Sequence, residues 1–350
     1  MTVQEIVHHY RSRFIDRYGA TLTPAQWSAL NAMQGCRQGQ YGELAWTCDG
    51  CERSTYSLRS CGHRSCNQCQ NHSTEQWLKR QEQKLLPVTY YMATFTLPRQ
   101  LRGLARAHPK TVYTLLMRVA TQTLQRFAQN DKSLRGELGL CSVLHTHTRR
   151  LDYHPHVHVV IPGGALHKTR REWRKLKGAY LFNGKALAKA FRGAFVRALC
   201  DAGIVPSPTP KQWVVQCQKV GKGLQALRYL SRYLYRGVIS NSNLIEDDGE
   251  NITFRYRESN TNTWQTRTVS GEEFIRLLLQ HCLPKGFRRA RDYGFLHGNA
   301  KSIMRLLQWI LRVVLPPPNT KVKRKITVAC PHCRTPMHCV GFIHRPRAPG

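Results

Sequence analysis

The sequence is short of acidic residues. Asp and Glu number 20 against 54 Lys and Arg among 350 residues, so the formal net charge is +34. The basic residues are spread along the whole length, which indicates a polyanionic partner, most commonly nucleic acid. A basic membrane-surface protein or a ribosomal-type structural protein has a similar balance. The charge therefore indicates a polyanionic partner, and the motifs must show which kind of partner it is.

Long apolar runs and nucleotide-binding loops are also absent. No stretch of about 18 apolar residues occurs, and the opening MTVQEIVHHYRSRF lacks the apolar core of a signal peptide. We therefore expect no membrane partner and a cytoplasmic, nucleoid-associated protein. The sequence also lacks a GxxxxGK[ST] phosphate loop, which argues against an ATP motor. A hydrophobic fraction of 41% nevertheless provides for at least one sizeable core.

Strand-type and helix-type patterns are mixed along the chain, which predicts the α+β class. The segment TYYMATFTLP reads as a strand, and CSVLHTHT with YHPHVHVVIPGG reads as an antiparallel hairpin. A helix is predicted from about Gly223 to Tyr235. The predicted domains are an N-terminal helix with a zinc-binding domain over 1–86, a catalytic domain over 87–240, an α+β extension over 241–315 and a basic tail over 316–350.

Cysteine is plentiful, with 13 residues, and most of them fall in short-spaced pairs. Cys48 and Cys51 form one CxxC pair, and a second pair, Cys66 and Cys69, follows fourteen residues later. This spacing suits a tetrahedral four-cysteine zinc ribbon, whose Zn²⁺ would be structural. Surplus ligands leave an alternative ligand set or a second ion open: Cys36, Cys61, His63 and His72.

The remaining cysteines fall into two groups. Cys330 and Cys333, with His338 and Cys339 close behind, are a candidate for another zinc site, although the spacing after the first pair is short for a ribbon. The others stand singly in apolar surroundings and are predicted to be small core residues: Cys141, Cys200, Cys217 and Cys282.

Histidines line one face of a predicted strand. Strand alternation places His154, His156 and His158 on one side, and two imidazoles about 7 Å apart can converge on one ion. An isolated HxH is more often a histidine-rich polar face, so other features must support a metal site. We expect His145 and His147, on the partner strand, to be structural or to orient the metal ligands without binding the ion themselves.

A predicted helix carries two tyrosines one turn apart. Tyr229 and Tyr233 lie beside arginines that recur every four residues, and Arg232 and Arg236 are candidate phosphate contacts. In the alternative interpretation both tyrosines pack in the core and the arginines face water. A phenol with a pKa of about 10 needs a nearby cation to attack a phosphate. A divalent ion on the histidine pair would provide one.

At these motifs the sequence resembles the HUH endonucleases, and specifically the two-tyrosine rolling-circle transposases of bacterial insertion sequences. The HVH triplet at 156–158 matches the HUH motif, and Tyr229 and Tyr233 match the tyrosine pair. TFTLP matches the strand that precedes the HUH strand. The resemblance covers about residues 30–300 and includes CGHRSCNQCQ and RDYGFL.

The resemblance implies a central antiparallel sheet flanked by helices, with an N-terminal zinc ribbon. It also implies that Tyr229 and Tyr233 cleave single-stranded DNA at element ends, keep the 5′ end as a phosphotyrosine and transfer the strand to target DNA. His156 and His158 would hold Mg²⁺ or Mn²⁺. A third polar ligand usually completes the site, and the sequence offers three candidates for it: Asp152, His154 and Gln225.

Other functions stay open at this level. A rolling-circle replication initiator would use the same site on a replication origin. A non-catalytic zinc-dependent DNA-binding protein would need neither tyrosine, and a tyrosine recombinase would need no metal. Rings in the basic stretch after the HUH strand could stack on single-stranded DNA or pack in the core: Trp173, Tyr180 and Phe182.

Overall fold

A computed structural model describes residues 1–69, 71–176, 181–234, 238–258, 261–314 and 328–343, with the backbone alone for residues 71, 72 and 232–234. The helices are α1 Val3–Tyr18, α2 Pro24–Gly35, α3 Asn71–Glu82, α4 Arg102–Ala107, α5 Pro109–Asn130, α6 Gly184–Asp201, α7 Leu224–Leu234, α8 Gly271–Leu279 and α9 Lys301–Ile310. The first eight strands are β1 Glu43–Cys48, β2 Ser54–Leu58, β3 Tyr90–Thr96, β4 Leu140–His147, β5 Tyr153–Pro162, β6 Gly164–His167, β7 Glu172–Lys175 and β8 Val215–Lys219. The remaining strands are β9 Leu244–Asp247, β10 Asn251–Arg257, β11 Trp264–Ser270, β12 Ala290–Tyr293, β13 Val328–Ala329 and β14 Pro336–Ile343.

The central sheet has five antiparallel strands in the order β12-β4-β5-β3-β8. The predicted hairpin of β4 and β5 lies at its middle. Alternation along β5 sends Val157, Val159 and Ile161 into a core shared with α5 and α6. The opposite face carries the histidines and packs against α3, α7 and α9. The predicted α+β class, with an antiparallel sheet flanked by helices, is confirmed.

Helix α7 lies over the histidine face because one side of it is apolar. Ala226, Leu227 and Leu230 are buried against α3 and the sheet, whereas Arg228 is exposed. Gly223, just before the helix, has a φ of +81° and lies against the ring of Tyr90, where an added Cβ would approach within 2.7 Å. Glycine is therefore required at the point where the chain turns into α7.

A second core joins the N-terminal helices to residues that the sequence assigned to the C-terminal extension. Helix α1, which begins with a capping box at Thr2, packs against α8 and β10. Tyr10 and Phe14 of α1 are fully buried with Phe254 and Phe274. Strand β12 likewise belongs to the central sheet. Segments far apart in the sequence thus fold together around both cores.

The ends of the chain also meet in a small sheet of order β13-β14-β1-β2. Strand β14 pairs antiparallel with β1, from Glu43 opposite Ile343 to Cys48 opposite Met337. The predicted basic tail therefore contains strands that pair with the N-terminal part of the chain. None of the helices within the described ranges is long and apolar enough to cross a bilayer.

Candidate active site

Three histidines converge on the face of the central sheet that α7 covers. His156 and His158 are two residues apart on β5, and His145 stands directly opposite His156 on β4. Their ring centroids are 4.5 to 5.1 Å apart. One nitrogen of each ring lies within 4.8 Å of the others. The sheet register therefore brings three imidazole donors to one point, which we call the histidine cluster.

Hydrogen bonds fix the orientation of two of these rings. His158 Nδ1 lies 2.9 Å from Oγ1 of Thr94, which stands opposite it on β3. His156 Nδ1 donates to the backbone carbonyl of His154 over 2.7 Å. In both rings Nδ1 is engaged, which leaves Nε2 as the ligand nitrogen.

Burial keeps the cluster neutral. It lowers the pKa of His156 to about 4 and that of His158 to about 3, and it holds the pKa of His145 well below its ordinary value. A neutral imidazole is the form that binds a metal ion, so these rings need lose no proton near pH 7. Three convergent imidazoles, two buried and that of His156 half-buried, fit a divalent transition-metal cation.

None of the three candidates for the third ligand joins the cluster. Asp152 pairs with Arg267 at 2.9 Å, His154 Nδ1 lies 2.5 Å from Arg102, and Gln225 is exposed. The third donor is His145. The sequence could have pointed to His145 through its position on the partner strand of the hairpin. It does not give the register that sets His145 opposite His156.

His147, the other histidine of β4, lies elsewhere. The register shifts between His145 and His147, and the ring of His147 packs against His281 with 5.1 Å between centroids. His281 Nε2 donates to the carbonyl of Leu151 over 3.1 Å. His147 therefore lies outside the cluster, in agreement with the prediction. The same prediction for His145 is wrong, because the register of β4 against β5 places His145 in the cluster.

Tyr229 is the tyrosine that meets the histidine cluster. Its half-buried ring stands edge-on to His158, with 6.0 Å between centroids and an interplanar angle of 86°. The backbone of Tyr233 continues α7 one turn later. The side chains of Tyr233 and Arg232, and all of Arg236, lie outside the described residues, as does Tyr180. The structure thus brings together one tyrosine and three histidines.

The predicted grouping of the zinc ligands is wrong. Cys66 and Cys69 do not meet the first CxxC pair but join Cys36 and Cys61. The Sγ atoms of this first cysteine cluster are 3.4 to 3.7 Å apart along the three measured edges. Tetrahedral sulfurs at 2.3 Å from Zn²⁺ would be separated by about 3.8 Å, so the cluster fits zinc.

Cys48 and Cys51 lie instead with Cys330 and Cys333, in what we call the second cysteine cluster. His338, weighed as a ligand, pairs with Asp49 at 2.6 Å. His63 Nδ1 accepts from the backbone of Ser65, and the side chain of His72 lies outside the described residues.

The prediction for Cys200 is wrong, and the structure favours one of the two alternatives left open for Trp173 and Phe182. Cys200, predicted to be a core residue, is exposed because α6 turns Phe195 and Leu199 inward instead. Trp173 packs edge-on against Phe295 at 5.8 Å, and Phe182 packs against Phe127 at 5.7 Å. Both rings contribute to packing rather than to an open stacking surface.

Comparisons with known proteins agree with this architecture. A family described as "Putative transposase" matches residues 139–303, which include the histidine cluster and α7. A family described as "Transposase zinc-binding domain" matches residues 4–97, which include the first cysteine cluster. The two matches define a transposase that carries an N-terminal zinc-binding domain.

Whole-chain relatives support the same assignment. A Sinorhizobium fredii protein named "Putative transposase y4qJ" is 32% identical over 91% of this chain and 86% of its own length. The "Transposase for insertion sequence element IS801" of Pseudomonas savastanoi pv. phaseolicola is 29% identical over 76% and 69%, respectively. The chain belongs to the family of two-tyrosine HUH transposases of bacterial insertion sequences.

A solved structure of the conjugative relaxase TrwC in complex with mutant OriT DNA also matches. It is 14% identical, covers 62% of this chain and 72% of its own, and superposes with a TM-score of 0.27. We draw nothing from a likeness at that TM-score.

Proposed function

We propose that this transposase nicks single-stranded DNA at the ends of its element, with Tyr229 as a nucleophile, and moves the element by a rolling-circle route. The observation that carries the proposal is the edge-on placement of Tyr229 against His158, at 6.0 Å between ring centroids. A phenol beside three convergent imidazoles is a nucleophile beside a cation site. Proteins of the same family are named as transposases, which gives this chemistry its context.

The histidine cluster would hold a divalent cation, which would polarise the scissile phosphate when bound. Because all three donors are nitrogens, the cluster suits Mn²⁺ better than Mg²⁺, which prefers an octahedron of oxygens. His145 is the ligand that distinguishes this site from the predicted pair of His156 and His158.

The chain's own residues carry the bond exchange. The phenolate oxygen of Tyr229 attacks the phosphorus in line with the 3′ oxygen, so one P–O bond forms and the P–O3′ bond breaks. The phenolic proton leaves, and the departing 3′ oxygen takes up a proton. The 5′ end stays on the tyrosine and a free 3′ hydroxyl remains. The phosphotyrosine conserves the bond energy for joining.

We assign the second nucleophile to Tyr233, on sequence pattern. It follows Tyr229 by four residues in α7, one helical turn along. Arg232 and Arg236 are proposed to contact phosphates. The net charge of +34 supports DNA as the partner, because phosphate contacts dominate nucleic-acid affinity.

The test is a covalent-adduct assay. Single-stranded oligonucleotides tiled across the DNA that flanks the gene are labelled at the 3′ end and incubated with protein and Mn²⁺ or EDTA. Because the protein keeps the 5′ end of the downstream fragment, the label is expected to migrate with protein on a denaturing gel. We expect Tyr229→Phe to reduce the adduct strongly and the Tyr229→Phe/Tyr233→Phe double variant to abolish it.

Tyr56→Phe is the matched control, because Tyr56 is exposed on β2 and outside the histidine cluster. The amount of adduct formed by Tyr56→Phe should equal the amount formed by the wild type. An adduct that persists in the double variant, or in EDTA, would contradict the proposal. DNA binding without any adduct would favour the non-catalytic alternative.

A further inference from the structure

We propose that a second zinc ion, held by Cys48, Cys51, Cys330 and Cys333, fastens the C-terminal strands to the N-terminal part of the chain. The four Sγ atoms lie within 4.8 Å of one another. The Sγ distance is 3.3 Å from Cys48 to Cys333 and 3.6 Å from Cys51 to Cys330. These separations approach the edges of about 3.8 Å in a tetrahedral Zn(Cys)₄ site.

The first half of this site is a tight turn that presents its sulfurs. Cys48 N donates to Arg53 O over 3.0 Å, and Glu52 N donates back to Cys48 O over 2.9 Å. Glu52 is left-handed, with a φ of +56°.

The second half repeats this turn with different residues. Cys330 N donates to Thr335 O over 2.9 Å, and Arg334 N donates to Cys330 O over 2.9 Å. Arg334 is left-handed, with a φ of +63°. Two CxxC turns with one backbone geometry therefore face each other, which is the construction of a zinc ribbon.

Strand pairing holds the two turns in place, but the apolar core beneath them is small. Its buried members are Trp46, Cys48, Cys330 and Met337. Such a core is far too small to stabilise a fold without another source of free energy. Structural Zn²⁺ supplies much of the folding free energy of small modules of this kind. The ion would therefore be what keeps β13 and β14 on β1.

The family matches do not assign this site. The zinc-binding match ends at residue 97, so it includes the whole first cysteine cluster but only Cys48 and Cys51 of the second. The transposase match ends at residue 303, so Cys330 and Cys333 lie beyond both. The second ion is a separate metal site, built from the two ends of the sequence.

The test counts zinc by native mass spectrometry on the full chain under reducing conditions. A zinc ion at the histidine cluster is kept out of the count by placing His156→Ala in every chain. We then expect two Zn²⁺ per otherwise wild-type chain and one in Cys333→Ser. Because both ends contribute to one site, Cys48→Ser/Cys333→Ser should also retain one ion. If the ends served two different sites, this double variant would lose two ions, and the proposal would be wrong.

Two further variants guard against a simple loss of folding. Cys333→His keeps a zinc ligand and is expected to hold two ions. Cys339→Ser removes an exposed cysteine outside both clusters and should also hold two. Hydrogen exchange in Cys333→Ser should rise in residues 43–58 and 328–343 and stay unchanged in the central sheet. A wild-type chain with one zinc ion, or one with disulfides between the two cysteine pairs, would overturn the proposal.

Discussion

The histidine cluster and the second cysteine cluster are both assembled from paired strands, but over very different distances in the sequence. His145, His156 and His158 come from adjacent strands of one hairpin. Cys48 and Cys333 meet across 285 positions. A site within a hairpin needs only a local register, whereas a site between chain ends needs the whole fold first. This difference explains why alternation alone brought His156 and His158 together, whereas the sequence did not show that Cys48 and Cys333 meet.

The surroundings of the two sites differ as well. The histidine cluster is buried under α7, and Thr94 and the carbonyl of His154 orient two of its rings. In the second cysteine cluster, Cys333 is exposed and the neighbouring core is small. We infer that the fold preforms the histidine site, while the second cysteine cluster depends on its ion.

The largest expected effect is the loss of a histidine ligand. His156→Ala should reduce the rate of adduct formation at least about 100-fold, since even residues that merely orient a metal ligand are worth 10- to 100-fold. The rate is measured with labelled single-stranded DNA at a fixed Mn²⁺ concentration. His8→Ala, an exposed change on α1, is the control. A wild-type rate in His156→Ala would contradict the assignment of the metal site.

The two cysteine clusters should differ in how much they contribute to the thermal stability of the main fold. Cys66 is fully buried in the core of α1, α2 and α8, so Cys66→Ser should cost several kcal/mol and lower the Tm by roughly 10 °C. Cys333→Ser should lower the Tm of the main transition by less than about 5 °C, because the second cluster lies outside that core. Thermal melts followed by circular dichroism measure both. Equal decreases would show that the clusters contribute equally to the main fold.

A smaller effect should come from Thr94, which contacts a ligand without belonging to the cluster. Thr94→Val removes the partner of His158 Nδ1 and should raise the Mn²⁺ concentration for half-maximal rate about 10-fold. The rate at saturating Mn²⁺ should change little. Thr268→Val, an exposed change on β11, controls for the substitution. A lower saturating rate with unchanged Mn²⁺ dependence would assign Thr94 a different role.

The smallest effect concerns His281, which packs against His147 outside the histidine cluster. Burial lowers the pKa of His281 to about 3. The unfolded chain, with a histidine pKa of about 6.5, therefore binds more protons between these values, and stability is lost as the pH falls through that window. His281→Gln should reduce this slope by up to about 1.4 kcal/mol per pH unit. Urea unfolding of the metal-free protein between pH 6 and pH 4 tests it, and an unchanged slope would contradict it.

The parts of the fold that depend on local pattern were predictable. Alternation along YHPHVHVVI placed His156 and His158 on one face and Val157 in the core, as the structure shows. The stripe on α7 likewise predicted a helix with Tyr229 beside its buried side. Both inferences use periods of two and about 3.6 residues, which the sequence displays directly.

The failures at the cysteine sites are non-local. The sequence shows that cysteines occur in CxxC pairs, but not which pairs meet, because that depends on how β14 reaches β1. The spacing between Cys51 and Cys66 suggested one ribbon, and the fold divides these residues between two clusters. His145 was misjudged within the hairpin itself, because alternation gives neither the register that sets His145 opposite His156 nor the register shift before His147.

The central claim is that Tyr229 is the residue that attacks DNA, and mapping the adduct tests it most directly. The adduct formed with Mn²⁺ is trapped and digested with nuclease and protease, and the peptide that bears a residual nucleotide is sequenced by mass spectrometry. The account predicts a 5′-linked nucleotide on Tyr229 of α7. A nucleotide on a residue outside α7, or an unmodified Tyr229 in every trapped adduct, would contradict it.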